Sequence, residues 1–169
     1  MDLVVREARE AELDRIGALT VEVYEGDGLA GPEYLEVVRD ARARWESPAT
    51  TLLVAFDDGA EEPTDLLGTV VYASPGSPWQ DLAQDDEVEF RMLATTFSAR
   101  GRGVGESLVR ACIERARRSG APRLVLSTGP ESTAAHRLYE RIGFVRVPER
   151  DWSPRPESEF LLRAYVLDL

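Results

Sequence analysis

Three glycines alternate with other residues in the segment SARGRGVGESLV, which runs from Ser98 to Val109. Glycine adopts positive φ values and lets a ligand approach the backbone closely. The segment follows a β-branched run and precedes apolar residues at helical spacing, so it predicts a turn that opens a helix. The unpaired N–H groups at a helix start attract anions, and Arg100 and Arg102 add positive charge beside them. We therefore expect this turn to bind a diphosphate, with a plain strand–helix connection as the alternative.

The spacing of the glycines excludes two familiar phosphate-binding motifs. A dinucleotide fingerprint requires G-x-G-x-x-G, whereas Gly101, Gly103 and Gly105 form G-x-G-x-G. An ATP-type P-loop requires a lysine followed by Ser or Thr, and neither stands in place here. A disordered arginine–glycine tail that binds nucleic acid would repeat, but this segment occurs once between two ordered-looking elements.

The composition of the whole chain predicts one soluble domain. Its 169 residues, 43% of them hydrophobic, suffice for a single core over 1–169. The net charge of −11 argues against a nucleic-acid partner. Neither a signal peptide nor an apolar run long enough for a membrane span is apparent, so we expect a cytoplasmic protein with no membrane partner. The single cysteine, Cys112, excludes an internal disulfide and a cysteine-rich metal site, and we expect no metal.

Hydrophobic periodicity predicts the elements that position the glycine turn. Their order is β-α-α-β-β-β-α-β-α-β-β, which indicates an α/β fold with a mixed, mostly antiparallel sheet. The predicted strands are 3–8, 50–56, 66–73, 87–95, 123–128, 144–147 and 160–169. The four predicted helices cover 13–24, 35–45, 104 to about 119 and 132–142.

Two motifs in this order resemble those of one superfamily. Arg100-x-x-Gly103-x-Gly105 is similar to the R/Q-x-x-G-x-G/A signature of the GNAT superfamily, the Gcn5-related N-acetyltransferases. The segment STAAHRLYERIGF, residues 132–144, is similar to the later helix motif N-x-x-A-x-x-x-Y-x-x-x-G-F. The chain thus resembles a bacterial-type single-domain member. The resemblance implies the GNAT (acyl-CoA N-acyltransferase) fold, with about seven strands flanked by four helices, and acetyl-CoA as cosubstrate.

The same resemblance implies where the cofactor binds. The diphosphate would lie on the glycine turn, and the pantetheine arm would lie between the fourth and fifth strands, where a bulge separates them. The sequence itself shows no bulge, so a continuous strand is the alternative. Ser132 stands where the family usually has Asn, and Phe97 where many relatives have Pro. The residues expected to bind coenzyme A are Leu93, Ala94, Thr95, Arg100, Gly101, Arg102, Gly103, Val104, Gly105, Glu106, Ser132, Ala135 and His136.

Tyr139 and Glu89 are the expected catalytic residues. Tyr139 falls where the family has its general-acid tyrosine, and a phenol with a pKa of about 10 holds a proton that it can give to the departing thiolate. The alternative is a core tyrosine. Glu89 would accept the proton of the amine through a water molecule, or bind a cationic substrate. Its alternative is an exposed strand carboxylate paired with Arg91. His136 is expected to be solvated or next to the cofactor.

We expect an N-acetyltransferase that moves the acetyl group of acetyl-CoA to a primary amine of a small molecule by direct attack in a ternary complex. Acetylation of a protein N-terminus or lysine, and a non-catalytic acyl-CoA sensor, are the alternatives. A homodimer is left open. The resemblance implies acceptor walls at 25–32, 74–86 and 150–159. Their aromatic and acidic side chains would suit a small cationic amine; they are Glu25, Asp27, Trp79, Glu87 and Trp152. The alternative is that the aromatic residues cover the edges of the core and the carboxylates only add solubility.

Overall fold

The computed structural model of the protein describes residues 2–28, 30–60, 62–155, 157 and 159–169. In these residues seven strands form one sheet, with five helices around it. The strands are β1 (Leu3–Glu7), β2 (Thr50–Asp57), β3 (Gly68–Ala73), β4 (Val88–Thr95), β5 (Arg123–Thr128), β6 (Val145–Arg146) and β7 (Arg163–Asp168). The helices are α1 (Leu13–Gly26), α2 (Pro32–Arg39), α3 (Ala41–Trp45), α4 (Val104–Arg118) and α5 (Thr133–Ile142).

The sheet has the strand order β1-β2-β3-β4-β5-β7-β6. Only β4 and β5 pair in parallel among these strands, so the expected mixed and mostly antiparallel sheet is confirmed. Successive side chains of β2 point to opposite faces of the sheet, as the two-residue period of a strand requires. Leu52 and Val54 pack in one core cluster with α1, whereas Leu53 and Ala55 pack in another with α4. The sheet therefore separates the first three helices from α4.

The helix expected over 35–45 is divided in two, so the described chain has five helices where four were expected. The division falls at Asp40, whose ψ of 76° is not helical. The Asp40 side chain accepts a 3.0 Å hydrogen bond from the Ala43 N–H and caps the start of α3. Aspartate favours such caps over helix interiors because its carboxylate competes for backbone donors.

A bulge in β4 opens the sheet next to the glycine turn. Pairing between β3 and β4 shifts by one residue from Thr69–Ala94 to Val71–Arg91, and Met92 between them has a φ of +54°. On its other edge β4 pairs with β5 only at Val88–Leu124 and Glu89–Val125. The implied bulge is therefore present, and the alternative of a continuous strand is wrong.

The bulge also changes which side chains share a face. Without it, Glu89, Arg91 and Leu93 would lie on one face of the strand. The extra residue instead places Met92 in the core cluster on the α1 face, while Leu93 packs against the cluster on the α4 face. Leu93 thus leaves the face expected for it because one inserted residue reverses the alternation.

Candidate functional site

The glycine turn adopts a left-handed backbone at two positions. Gly101 has a φ of +80° and Gly103 a φ of +83°, and Gly103 is the residue that precedes the first turn of α4. A Cβ added at either position would meet open space, so the backbone conformation is what requires glycine there. The turn therefore presents the start of α4 to the surface without side chains in front of it.

Five backbone amides at this turn have no hydrogen-bond acceptor within the described part of the chain. They are the N–H groups of Gly101, Gly103, Val104, Gly105 and Glu106. The amide of Arg102 differs, because it donates to the Ala99 carbonyl over 3.2 Å. Because α4 runs for 15 residues, its dipole adds partial positive charge where these donors lie. Unpaired N–H groups at a helix start form an anion-binding site.

The two arginines of the turn are engaged with carboxylates from other elements. Arg100 Nη2 lies 2.7 Å from Asp27 Oδ2, and its guanidinium lies 4.3 Å from the centre of the Phe97 ring. Arg102 Nη2 lies 2.7 Å from Asp57 Oδ1. Backbone amides, rather than these side chains, therefore supply the donors that point away from the protein at this turn.

The gap between β4 and β5 begins beside the turn. Ala94 and Thr95 pair with β3 through one edge, and their other edge faces the gap. A Cβ at Gly105 would lie 3.8 Å from Thr95 Cγ2 and 3.7 Å from Leu138 Cδ2. The glycine turn, the end of β4 and helix α5 therefore converge beside the gap.

Tyr139 lies on the buried face of α5 and packs against β4. Its side chain is 5% exposed, and its ring packs edge-on against Phe90 and Phe144 with centroid distances of 5.8 and 6.0 Å. The Tyr139 hydroxyl has no hydrogen-bond partner among the described residues. Burial raises the pKa of Tyr139 above the usual value of a phenol, so the hydroxyl keeps its proton at neutral pH.

Ser132, Ala135 and His136 share the inward face of α5 with Tyr139, as their spacing predicts. His136 is buried, its Nε2 lies 2.9 Å from the Gly129 carbonyl oxygen, and its ring packs 5.8 Å from that of Tyr165. The interpretation of His136 as solvated is therefore wrong, because the ring is tied to the turn before α5. Ser132 precedes the first residue of α5, but its side chain makes no capping hydrogen bond.

Glu89 is fully buried at the point where β4 and β5 part. Its Oε1 accepts three backbone hydrogen bonds, of 3.0, 2.8 and 2.9 Å, from Asp81, Leu82 and Ala83. Its Oε2 is buried and has no hydrogen-bond partner among the described residues. Burial raises the pKa of Glu89 and outweighs the backbone hydrogen bonds and Arg91, which act to lower it. The alternative of an exposed strand carboxylate is therefore wrong.

A cluster of four side chains lies on the α1 face of β4, and sequence reasoning missed it as a site. We refer to Tyr24, Tyr34, Asp81 and Arg91 as the tyrosine–arginine cluster. Arg91 Nη2 lies 3.0 Å from both the Tyr34 hydroxyl and Asp81 Oδ2, and its Nη1 donates to the Trp79 carbonyl over 2.9 Å. The rings of Tyr24 and Tyr34 stack with their centroids 6.1 Å apart.

The cluster adjoins the point where β4 and β5 part. The Asp81 amide donates to Glu89 Oε1 over 3.0 Å, and Glu89 belongs to the last described pair between these strands. Tyr139 packs on the other face of β4, against Phe90, the residue after Glu89. Burial is the main cause that raises the pKa of Tyr24, and Tyr34 raises it further, against the lowering effect of Arg91.

The acidic and aromatic walls expected for an acceptor are largely engaged within the protein. Glu87 accepts hydrogen bonds from Arg150 with both oxygens, at 2.8 and 3.1 Å, so the expectation that Glu87 serves a cationic substrate is wrong. Trp79 Nε1 donates to Ser47 Oγ over 2.9 Å, and Trp152 Nε1 to Ser127 Oγ over 2.8 Å. Three residues within the expected walls lie outside the described residues: Leu29, Pro156 and Ser158.

Cys112 is fully buried in the core cluster on the α4 face, and burial raises the pKa of its thiol to about 12. A buried thiol with that pKa is a poor nucleophile at neutral pH. Within the described ranges we find neither a group of three or more His, Cys, Asp or Glu side chains arranged for a metal ion, nor a helix with the length and apolar character of a membrane span.

Comparison with known proteins assigns this arrangement to a family. Residues 20–144 match the family model described as acetyltransferase (GNAT) family. Mycothiol acetyltransferase of Cellulomonas flavigena is 36% identical over 113 residues, which cover 63% of this chain and 31% of that protein. The chain thus spans about a third of the length of this curated relative.

Solved structures share the fold over the whole chain. A GNAT-family acetyltransferase from Staphylococcus aureus superposes with a TM-score of 0.75 at 11% identity, covering 99% of both chains. A chain of the NatC complex bound to Gag peptide and CoA superposes with a TM-score of 0.72 at 23% identity, covering 100% of this chain and 99% of that one. At these identities the likeness shows the fold alone.

Proposed function

This chain belongs to the acetyltransferase (GNAT) family, and on that premise we propose that it transfers the acetyl group of acetyl-CoA to a primary amine of a small molecule. The observation that carries the proposal is the set of five amides at the glycine turn, which have no acceptor among the described residues. A diphosphate needs several aimed donors, and a helix start after a glycine turn supplies them. The same turn opens directly into the gap between β4 and β5.

In this proposal coenzyme A lies along the gap. Its diphosphate binds the amides from Gly101 to Glu106, and its pantetheine arm pairs with the open edge of β4 at 93–95, in the way that a peptide adds to a sheet edge. Ser132, Ala135 and His136 line the α5 side of the arm. The NatC chain of the same fold was solved with CoA, which supports this use of the fold.

The transfer step balances without an acyl-enzyme. The amine first loses a proton to water, since an alkylammonium with a pKa of about 10 has no lone pair for attack. Its nitrogen then forms a bond to the thioester carbonyl carbon and gives its excess proton to water, and the C–S bond breaks. Tyr139 gives its hydroxyl proton to the departing thiolate and regains a proton from that water, so the products are the neutral amide and the free thiol. Cys112 takes no part because its thiol is buried and protonated.

A protein N-terminus is the second candidate acceptor. It is favoured by the similarity to the NatC chain, which was solved with a peptide, whereas the relative named for mycothiol favours a small molecule. The two classes are separated by a thiol-release screen that offers polyamines, aminoglycosides and amino-acid amides beside peptides with free N-termini.

The cofactor site is tested by calorimetric titration of the purified protein with acetyl-CoA, comparing Gly103→Val with Gly120→Val. Both glycines have positive φ, +83° and +77°, and a Cβ at either would meet open space. Both variants therefore carry similar backbone strain. Only Gly103→Val disturbs the amides, so we expect it to lower the affinity about 100-fold while Gly120→Val binds like the wild type.

Two results would contradict the proposal. One is a wild type that gives no binding heat with acetyl-CoA; the other is equal affinity in the two glycine variants. Binding of acetyl-CoA without thiol release on any amine of the screen would favour the non-catalytic acyl-CoA sensor instead.

A further inference from the structure

We infer that Asp81 is the carboxylate that binds the ammonium group of the acceptor, and that Glu89 is a positioning residue that holds Asp81 in place. The inference rests on the proposed acetyl transfer and narrows its substrates to amines that arrive as cations. It replaces Glu89, the expected base, with a residue that lies in the loop between β3 and β4.

Glu89 is built into the fold as an anchor for that loop. Three consecutive amides, those of Asp81, Leu82 and Ala83, converge on its Oε1. A carboxylate that is fully buried under the loop cannot touch an acceptor while these bonds are in place. What Glu89 can do is fix the backbone of 81–83, and with it the direction in which the Asp81 side chain leaves the chain.

Asp81 is held from its side chain as well as from its backbone. Its Oδ2 lies 3.0 Å from Arg91 Nη2, and Arg91 is itself fixed by the Trp79 carbonyl and the Tyr34 hydroxyl. The Asp81 side chain remains 34% exposed, against 17% for Arg91. Its Oδ1 has no hydrogen bond to any described residue. A partly exposed carboxylate with one oxygen held by Arg91, and the other without a described partner, is arranged to bind a donor.

The surroundings of Asp81 suit a cation. Tyr34 meets the same Arg91 nitrogen as Asp81, and Tyr24 stacks on Tyr34, so two aromatic rings belong to the same cluster as Asp81. Aromatic faces attract ammonium groups. The Asp81 amide donates to Glu89 Oε1 over 3.0 Å, and Glu89 lies at the last described pair of β4 with β5, so Asp81 lies beside the gap proposed for the cofactor arm. Glu87 offers no competing site, because Arg150 occupies both of its oxygens.

The test compares Asp81→Asn with Asp86→Asn, which removes the same charge from an exposed position of the same loop. The probe is the primary amine that the wild type acetylates fastest among polyamines, aminoglycosides and amino-acid amides. We expect Asp81→Asn to raise the KM for that amine at least 10-fold with kcat changed less than about 3-fold, the signature of lost ground-state binding. Asp86→Asn should match the wild type, and both variants should bind acetyl-CoA unchanged.

The positioning role of Glu89 needs a conservative and a disruptive variant. Glu89→Gln keeps an oxygen for the three amides and should preserve kcat within about 10-fold, whereas Glu89→Ala frees the loop and should raise the amine KM as Asp81→Asn does. The double variant Asp81→Asn, Glu89→Ala should add nothing further, because both changes break one arrangement. A purely structural role would not yield this rescue by Gln or this lack of additivity.

Several outcomes would overturn the inference. If Glu89→Gln lowers kcat about 100-fold and removes the ascending limb of the pH–rate profile, Glu89 is the base. If the KM for the amine is the same in Asp81→Asn as in Asp86→Asn, or is lowered by Asp81→Asn, Asp81 does not bind the acceptor. A lowered KM indicates an anionic acceptor. If the protein binds acetyl-CoA but transfers nothing, the same amines are titrated into CoA-loaded protein, and equal affinity of Asp81→Asn and wild type contradicts the inference. Failure to bind acetyl-CoA at all contradicts the proposed function instead.

Discussion

The two ends of the proposed site differ in the groups that supply their polar contacts. At the glycine turn the donors are backbone amides between Gly101 and Glu106, within one short stretch of chain. At the tyrosine–arginine cluster the polar groups are side chains from α1, α2, β4 and the loop before β4, and Tyr34 and Arg91 are 57 positions apart. The first end depends on local backbone conformation, and the second depends on how distant elements pack. Mutations should therefore separate the ends: backbone changes should damage the first and side-chain changes the second.

The largest effect is expected at Tyr139, the proposed general acid. Tyr139→Phe removes the proposed proton donor but keeps the ring packed between Phe90 and Phe144. We expect kcat to fall about 100-fold, the lower range for loss of a general acid, with acetyl-CoA affinity unchanged. Steady-state kinetics and calorimetry measure the two quantities.

Tyr165→Phe is the matched control for that change. Its ring lies 6.0 Å from that of Tyr139, but its hydroxyl donates to Glu140 Oε1 over 3.0 Å rather than facing the cleft. Its kcat should stay near that of the wild type. A similar loss in both variants would assign the effect to packing and deprive Tyr139 of its role.

A smaller effect, on stability, is expected at the ion pair between Arg150 and Glu87, at the end of the loop between β3 and β4. Arg150→Ala removes both side-chain hydrogen bonds of the Glu87 carboxylate, which is 5% exposed and keeps, among the described side chains, only Arg123 Nη1 at 3.6 Å. We expect it to lower the free energy of unfolding by about 2 kcal/mol. Arg110→Ala is the comparison, because its pair with Glu106 is exposed and should contribute below about 0.5 kcal/mol. Urea unfolding of the three proteins gives the ranking, and equal stability of both variants would contradict it.

The effect of Arg150→Ala should depend on pH. Burial acts to raise the pKa of Glu87, but hydrogen bonds from Arg150 and the Gln84 amide outweigh it and hold the pKa below its usual value of 4.5. A carboxyl with a depressed pKa stabilises the fold above its usual value and loses that contribution as the pH falls. The stability gap between wild type and Arg150→Ala should therefore be full at pH 7 and narrow as the pH falls below about 4.5. A constant gap between these conditions would show that the charge of Glu87 is not its source.

The smallest effect is expected for Arg100→Ala. Its guanidinium is paired with Asp27 and packed on Phe97, and the anion-binding donors of the turn are amides. An exposed ion pair contributes little, so we expect acetyl-CoA affinity to fall no more than about 3-fold by calorimetry. A loss as large as that of Gly103→Val would mean that side-chain charge, and not the backbone, forms this end of the site.

The sequence predicted what depends on local chemistry. The glycine turn, the helix after it and strand β2 all follow from residue types within a few positions of each other. The bulge does not, because nothing in methionine favours a φ of +54°; the pairing of β4 with β3 imposes it on Met92. Glu89 resembled a solvent-facing strand charge because only the folded loop supplies the three amides that bury it. The break at Asp40 was missed because the apolar stripe continues across it.

The divergence of β4 from β5 affects the stability of the folded protein in solution. Past Val125 the two described strands no longer pair. A cosubstrate arm seated there would act as a temporary eighth strand and tie the two halves together. At a concentration 100 times its dissociation constant, such an occupant adds about 2.7 kcal/mol to the folded state. The thermal stability of the protein would then rise with the concentration of acetyl-CoA. Each turnover would alternate between a sheet whose gap is filled and a sheet whose gap is empty.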